Sequence, residues 1–277
     1  MNNRISNSTK SGRRHSSVLH IIFPFALMAF IAVAAFIPSS AETPIPIVDA
    51  SMVKDETQAK DTATSVVAEA FELIPDRDLD ILTPSMRSDM IIYMQQTDSA
   101  YHIRNIYAGQ SWIEKMTEDY LRVHLTDVSD IQIKELPYSK KGQKLVMTIY
   151  TVAGEADTAD STIKFYTLGS NRNDSTVLTE VPAKKFFDLP NPKDFYDIKA
   201  GDERTTGRHL SMDDIMEEMP FHTVAYTIEP GKNVLTGHLT MSNYLTLEAR
   251  RKIEPYLRPE LQWAWDGKKF GRIRAKF

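Results

Sequence analysis

Five histidines lie beyond residue 41: His102, His124, His209, His222 and His238. No two stand three or four residues apart, the spacing that would set both imidazoles on one helical face around a metal ion. His102, His124 and His238 each fall on the polar side of a stretch that alternates apolar and polar residues. Three such strands in one sheet would gather the rings for metal binding or proton transfer; scattered surface histidines are the plainer alternative. His222 shares its face with Val224, Tyr226 and Ile228 and reads as a half-buried, satisfied histidine.

Carboxylates are densest at Asp213, Asp214, Glu217 and Glu218. Paired carboxylates with separated pKa values can do general acid–base work. Here Asp213 and Asp214 sit in the first turn of a helix, where the dipole favours anions, and the group reads as a solvated face. Asp76, Asp78 and Asp80 alternate like a calcium loop. Ile81 stands where that loop needs glycine and Arg87 where it needs the bidentate glutamate, so they read as polar loop residues. Gly109-Gln110-Ser111 begins a nucleophile elbow, but Ile113 replaces the required glycine. Neither a phosphate-binding glycine loop nor a dinucleotide fingerprint is present. Tyr256, Trp263, Trp265 and the aromatic group at 186–196 could form a peptide- or glycan-binding surface, or an ordinary core. The candidate binding residues are therefore His102, His124, His238, Trp263 and Trp265. No catalytic residue, metal ligand or cofactor follows from these patterns.

The elements that would position these residues are partly legible. Val66, Val67, Ala70, Phe71 and Ile74 recur at helical spacing behind Thr62, the expected N-cap, and Pro75 stops the run. Thr83 can cap a second helix with Pro84 at its first position, and Met86, Met90, Ile91 and Met94 share a core-facing side through residue 96. From residue 101 the period becomes two. Tyr101 and Ile103 alternate with His102 and Arg104, and Leu121, Val123 and Leu125 with Tyr120, Arg122 and His124. Ile131 and Ile133, residues 145–152 and residues 162–168 continue the pattern, giving five or six antiparallel strands.

Residues 169–207 read as loop-rich, with aromatics among prolines pinned to a surface. Ser211 caps a short helix, with Leu210 and Ile215 as a hydrophobic staple and Pro220 closing it. Residues 221–228 and 234–241 pair as strands, and a short helix runs from Thr246 to Ile253. Asp266-Gly267 reads as the two-residue turn of a closing hairpin that sets Trp263 opposite Phe270, a pair worth about 0.2–1 kcal/mol. The expected fold class is α+β, with N-terminal helices packed on a mainly antiparallel sheet. A domain over residues 62–200 would carry a smaller C-terminal α+β portion, residues 201–277, ending in a hairpin.

The N-terminus points to export. Arg4, Lys10, Arg13 and Arg14 precede an apolar run over residues 21–37, followed by Pro38, Ser39, Ser40 and Ala41. Basic, apolar, then small residues make a signal peptide over residues 1–41, cleaved between Ala41 and Glu42, with a flexible leader over 42–61. The alternative is an uncleaved anchor: residues 18–37 could cross a hydrocarbon layer of about 30 Å. Both place the rest of the chain outside the cytoplasm, in the periplasm, secreted, or anchored to the inner membrane facing the periplasm. The first 41 residues hold four of the 33 Lys and Arg and none of the 37 Asp and Glu, so the remaining 236 of 277 residues carry a net charge of −8. Such a chain makes nucleic acid an unsuitable partner, and membrane contact is expected only through an uncleaved N-terminus. The chain has no cysteine, which excludes disulfides, thiolate nucleophiles and a lipidated N-terminal cysteine.

Three stretches carry a family likeness. They are Leu73-Ile74-Pro75-Asp76 running into residues 79–82, the helix at 86–94, and Thr117-Glu118-Asp119-Tyr120 leading into Leu121. With them, residues 63–275 resemble an uncharacterised exported family of Bacteroidales bacteria, domain of unknown function family 3256. The resemblance implies an envelope or secreted location and transfers no activity, ligand or site residue. The expected function is a non-catalytic binding module for another envelope protein or an extended ligand. A periplasmic hydrolase with an unfamiliar His/carboxylate site and a carrier of an apolar ligand are the alternatives.

Overall fold

The computed structural model describes residues 65–274 other than 139, 141, 172–174, 206 and 208. The basic head, the apolar run, the Ala41–Glu42 junction, the leader and the expected cap Thr62 lie outside the described residues. Helix α1 (Val66–Leu73) is capped by Ser65, whose hydroxyl accepts from the Ala68 N–H, and it buries Val67, Ala68, Ala70 and Phe71. Helix α2 (Pro84–Thr97) starts as its sequence dictates: the Thr83 hydroxyl accepts from the Met86 N–H and Pro84 opens the first turn. Met90 and Ile91 are buried, with Met86 and Met94 packed beside them, so the methionine stripe is core. Among the described residues, no helix is long and apolar enough to cross a membrane.

Between the helices lies a fully buried guanidinium. Arg87 of α2 donates to the carbonyls of Phe71 and Glu72, both at 3.2 Å, and to those of Ile74 and the carboxylate of Asp76. A helix leaves its last carbonyls without internal donors. Arg87 supplies them for α1, which ties the two helices together at that end.

Seven strands follow in antiparallel meander order: β1 (Ile103–Arg104), β2 (Gln110–Met116), β3 (Tyr120–Thr126), β4 (Ser129–Leu136), β5 (Lys144–Ala153), β6 (Ala159–Ser170) and β7 (Thr176–Val181). Two were not anticipated from the sequence. In β2 the pairing slips between Ile113 and Lys115, and only Ser111 and Ile113 are buried, so no apolar alternation shows. β7 lies at the sheet edge with no buried residue, in a stretch that reads as loop. One sheet face presents Leu121, Val123, Leu125, Ile131, Ile133 and Val146 to the helices. On the other face Leu145, Met147, Ile149 and Phe165 join a second core. β5 is apolar on both sides because both of its faces are covered.

After β7, the aromatic segment is itself core. Phe186, Phe187, Phe195 and Tyr196 are all buried, and α3 (Ile198–Arg204) follows them. Helix α4 (Met212–Glu218) shows the expected Ser211 cap, reciprocated by Asp214, and both staple residues Leu210 and Ile215 are buried. β8 (Val224–Ile228), β9 (Val234–Leu239), α5 (Leu247–Ile253), β10 (Glu260–Trp265) and β11 (Phe270–Arg272) follow among the described residues. Their strands form a second antiparallel sheet in the order β11-β10-β9-β8. The fold is α+β.

The closing hairpin differs from expectation by two residues: Trp265 pairs with Phe270 and Trp263 with Arg272. Asp266 is the reason. Its carboxylate accepts the N–H groups of Lys268 and Lys269, both at 2.8 Å, so it forms the corner and leaves Gly267, at φ 92°, inside the turn. A shift of two keeps the same residues on the same face, so the pattern alone does not choose between the registers.

The second sheet stands edge-on against the first. The outward N–H groups of β8 are received by side chains of the seven-stranded sheet: Val224 by Asp160 at 3.2 Å, Tyr226 by Ser161 at 3.0 Å and Ile228 by Gln132 at 3.2 Å. Gln132 also donates to the Tyr226 carbonyl at 3.4 Å.

Two stability predictions follow from these contacts. Arg87→Met leaves the α1 carbonyls without their donor, and a denaturant melt should show a loss of about 2 kcal/mol or more; a variant as stable as the parent contradicts the capping role. Burial pushes the His222 imidazole below its ordinary pKa of 6.5, while its Nε2 lies 2.8 Å from the Tyr196 hydroxyl. The unfolded chain therefore binds this proton more readily, so stability present above pH 6.5 is lost as pH falls through the folded value. Between pH 7 and 5, His222→Gln should lose less Tm than the parent; parallel Tm curves contradict this.

Candidate functional site

Antiparallel pairing places one residue per strand in rows across a sheet face. One such row, on the face turned away from the helices, holds Trp112, His124, Asp130, Thr151 and Ser161 on β2 through β6. His102, immediately before β1, extends it. The His102 and Trp112 rings stack with centroids 4.6 Å apart and planes 22° apart, and Trp112 stacks on His124 at 3.6 Å and 19°. At the other end the Thr151 and Ser161 hydroxyls meet at 2.9 Å, and Ser161 receives the Tyr226 N–H. The row thus begins near the sheet edge with three stacked rings and ends beneath the second sheet.

Charges flank the rings. Arg122 sets its Nε 3.0 Å from Glu114 and donates from Nη2 to Asp130 at 3.3 Å, and its side chain remains 43% exposed. The Glu114 contact is an ion pair without an aligned hydrogen bond, since Arg122 Nε has no hydrogen-bond partner. Burial raises the Asp130 carboxyl above its ordinary pKa, and the Arg122 charge offsets this only in part. His124 Nδ1 stands 3.8 Å from Glu114, beyond hydrogen-bond length. His124 Nε2 and Asp130 Oδ1, on directly opposed residues, are both buried with no hydrogen-bond partner among the described residues. With both indole faces taken by imidazoles, the arrangement offers ring edges for apolar contact and polar groups beside them for hydrogen bonds. It has no aligned nucleophile and base.

The candidate residues from the sequence separate. His102 and His124 come together, but through an indole between them. His238 lies on β9 of the other sheet, with Nδ1 3.8 Å from Glu260, so the three histidines do not share a sheet. Trp263 and Trp265 are core residues, 4% and 9% exposed. Trp263 packs edge-on to Phe187 at 5.2 Å, and Trp265 Nε1 donates to the Pro137 carbonyl at 2.7 Å. Their alternation is strong because both point inward, which rules out the surface they could have formed. Asp214 is occupied by the Ser211 cap, and its hydrogen bonds there hold its pKa below the ordinary carboxylate value. Glu218 pairs with Lys252.

Asp76, Asp78 and Asp80 go to three different partners, Arg87, Lys164 and Tyr107. No group of three or more His, Asp or Glu among the described residues is arranged to hold a metal ion. Trp112, Glu114, Arg122 and Asp130 were not singled out from the sequence. Their signal was the shared parity of Trp112 with Glu114 and of Arg122 with His124, hidden in β2 by its bulge.

No match to a curated protein was found. Among solved structures, the chain is similar to a domain of an uncharacterized protein from Porphyromonas gingivalis W83, at 17% identity and a TM-score of 0.61. That likeness covers 77% of this chain and 100% of the other, and it shows a shared fold. Over residues 59–270 the chain matches the model of a family described as protein of unknown function, DUF3256, and it belongs to that family.

Proposed function

We propose that this chain is an exported envelope protein that binds a protein partner, without catalysis, on the open part of the seven-stranded sheet around Trp112. The observation that carries this reading is the His102–Trp112–His124 stack, half open to solvent and bordered by Arg122. Tryptophan and arginine dominate binding energetics where they are held rigid before contact, because little side-chain freedom is then lost. Here one imidazole on each side holds the indole, and two carboxylates hold the guanidinium. A segment of another envelope protein lying along the strands could place an apolar or aromatic side chain against the ring edges. Its polar groups would meet Arg122, Asp130 and His124.

The basic head and apolar run supply the export half of the proposal. A hydrolytic site gains less support, because the His124 and His238 imidazoles each stand 3.8 Å from their carboxylates.

The test uses the full-length chain as bait in solubilised native envelope. A partner retained by the parent should be lost with Trp112→Ala, whose affinity should fall by about 2 kcal/mol, roughly 30-fold. Indistinguishable capture by parent and variant contradicts the site, and fractionation of the chain with soluble cytosol contradicts the location.

A further inference from the structure

On the opposite face of the same sheet, the turn after α1 roofs a pocket of about 210 Å³. Its floor is built by β5 and β6, whose register sets Thr148 beside Lys164 and Tyr150 beside Thr162. The Thr148, Tyr150 and Thr162 side chains all reach the pocket, and none makes a hydrogen bond to another described residue. Thr148 is only 5% exposed. Tyr150 is half-buried and Thr162 exposed, and none of the three hydroxyl oxygens is sealed from solvent, so each keeps its hydrogen-bonding capacity for a ligand that enters the pocket.

The charged groups at the rim are spent on one another. Lys164 donates to Asp78 at 2.6 Å, the Tyr166 hydroxyl donates to the other oxygen of Asp78 at 3.0 Å, and Arg77 pairs with Glu180 at 3.0 Å. Two cations thus face two carboxylates, so the rim has no surplus charge for an ionic ligand. Ile74 and Ile131 provide the apolar part of the wall.

These features describe one ligand chemistry. Three free hydroxyls ask for a molecule that both donates and accepts at several positions, and a neutral rim asks for no charge. Apolar walls ask for a C–H face, and the volume is below that of pockets for drug-sized ligands. We propose that this pocket binds a single neutral sugar unit, its hydroxyls meeting Thr148, Tyr150 and Thr162 and its ring face lying against Ile74 and Ile131. The site is independent of the open face around Trp112, since the two lie on opposite sides of the sheet.

The test titrates purified full-length protein with glucose, galactose, mannose and N-acetylglucosamine by calorimetry and saturation-transfer NMR. At least one should bind saturably. Thr148→Val and Thr162→Val should each weaken it by about tenfold, the scale of one lost hydrogen bond. Thr148→Ser, which keeps the hydroxyl, and Trp112→Ala should bind as the parent does. Thr162 is exposed, so its variant carries the test if Thr148→Val fails to fold. Equal affinity for the free sugar and for its disaccharide assigns the pocket to a glycan end, and preference for the free sugar assigns it to a monosaccharide. Absence of saturable binding by all four sugars, valine variants that bind like the parent, or tighter binding of glucuronate than of glucose overturns the proposal.

Discussion

The arrangement of the two sheets depends on how one strand edge is satisfied. β8 ends the four-stranded sheet, and an unpaired edge exposes a row of backbone donors and acceptors that invites foreign strands. Here Asp160, Ser161 and Gln132 take the donors of Val224, Tyr226 and Ile228. Gln132 also returns a hydrogen bond to the Tyr226 carbonyl, so its amide stands in for a neighbouring strand. It is 3% exposed, and with its oxygen also 3.3 Å from the Tyr120 hydroxyl its polar atoms are used. The second sheet is thereby held over β4 to β6, and the row through Trp112 on β2 and β3 remains open.

Packing then fills the space beneath that sheet. Phe187 meets Tyr226, Trp263 and Phe270 edge to face, at 5.6, 5.2 and 6.1 Å. Contacts of this kind are worth about 0.5–1.5 kcal/mol each beyond the area they bury. The aromatic segment between β7 and α3 is therefore the material that joins the sheets. On the other face, Arg87 anchors the turn after α1, and Asp78 in that turn reaches Lys164 and Tyr166 on the sheet. One short segment thus both ends a helix and roofs the hydroxyl-lined pocket.

Local signals in the sequence were legible where local physics decides. Thr83 with Pro84, and Ser211 with Leu210 and Ile215, mark helix starts that the structure reproduces, because caps and staples act within a few residues. Alternation identified β3 to β6 but said nothing of which sheet a strand joins, so His238 was grouped with His102 and His124 across a boundary that period two does not record. β2 and β7 escaped because a bulge and an edge position remove the apolar alternation. Two-residue slippage preserves sidedness, which is why the hairpin kept its inward tryptophans while its register moved. Gln132 and Ile228 are 96 residues apart, and no spacing rule foretells that bond.

Amide hydrogen exchange at β8, read residue by residue, tests the edge-on docking most directly. With Gln132 in place, the Ile228 and Tyr226 amides should be protected as strongly as that of Thr227, which faces β9. Replacement Gln132→Leu should release Ile228 while sparing Thr227. Rapid exchange of Ile228 and Tyr226 in the unaltered protein, beside a protected Thr227, would show a free edge and contradict the account.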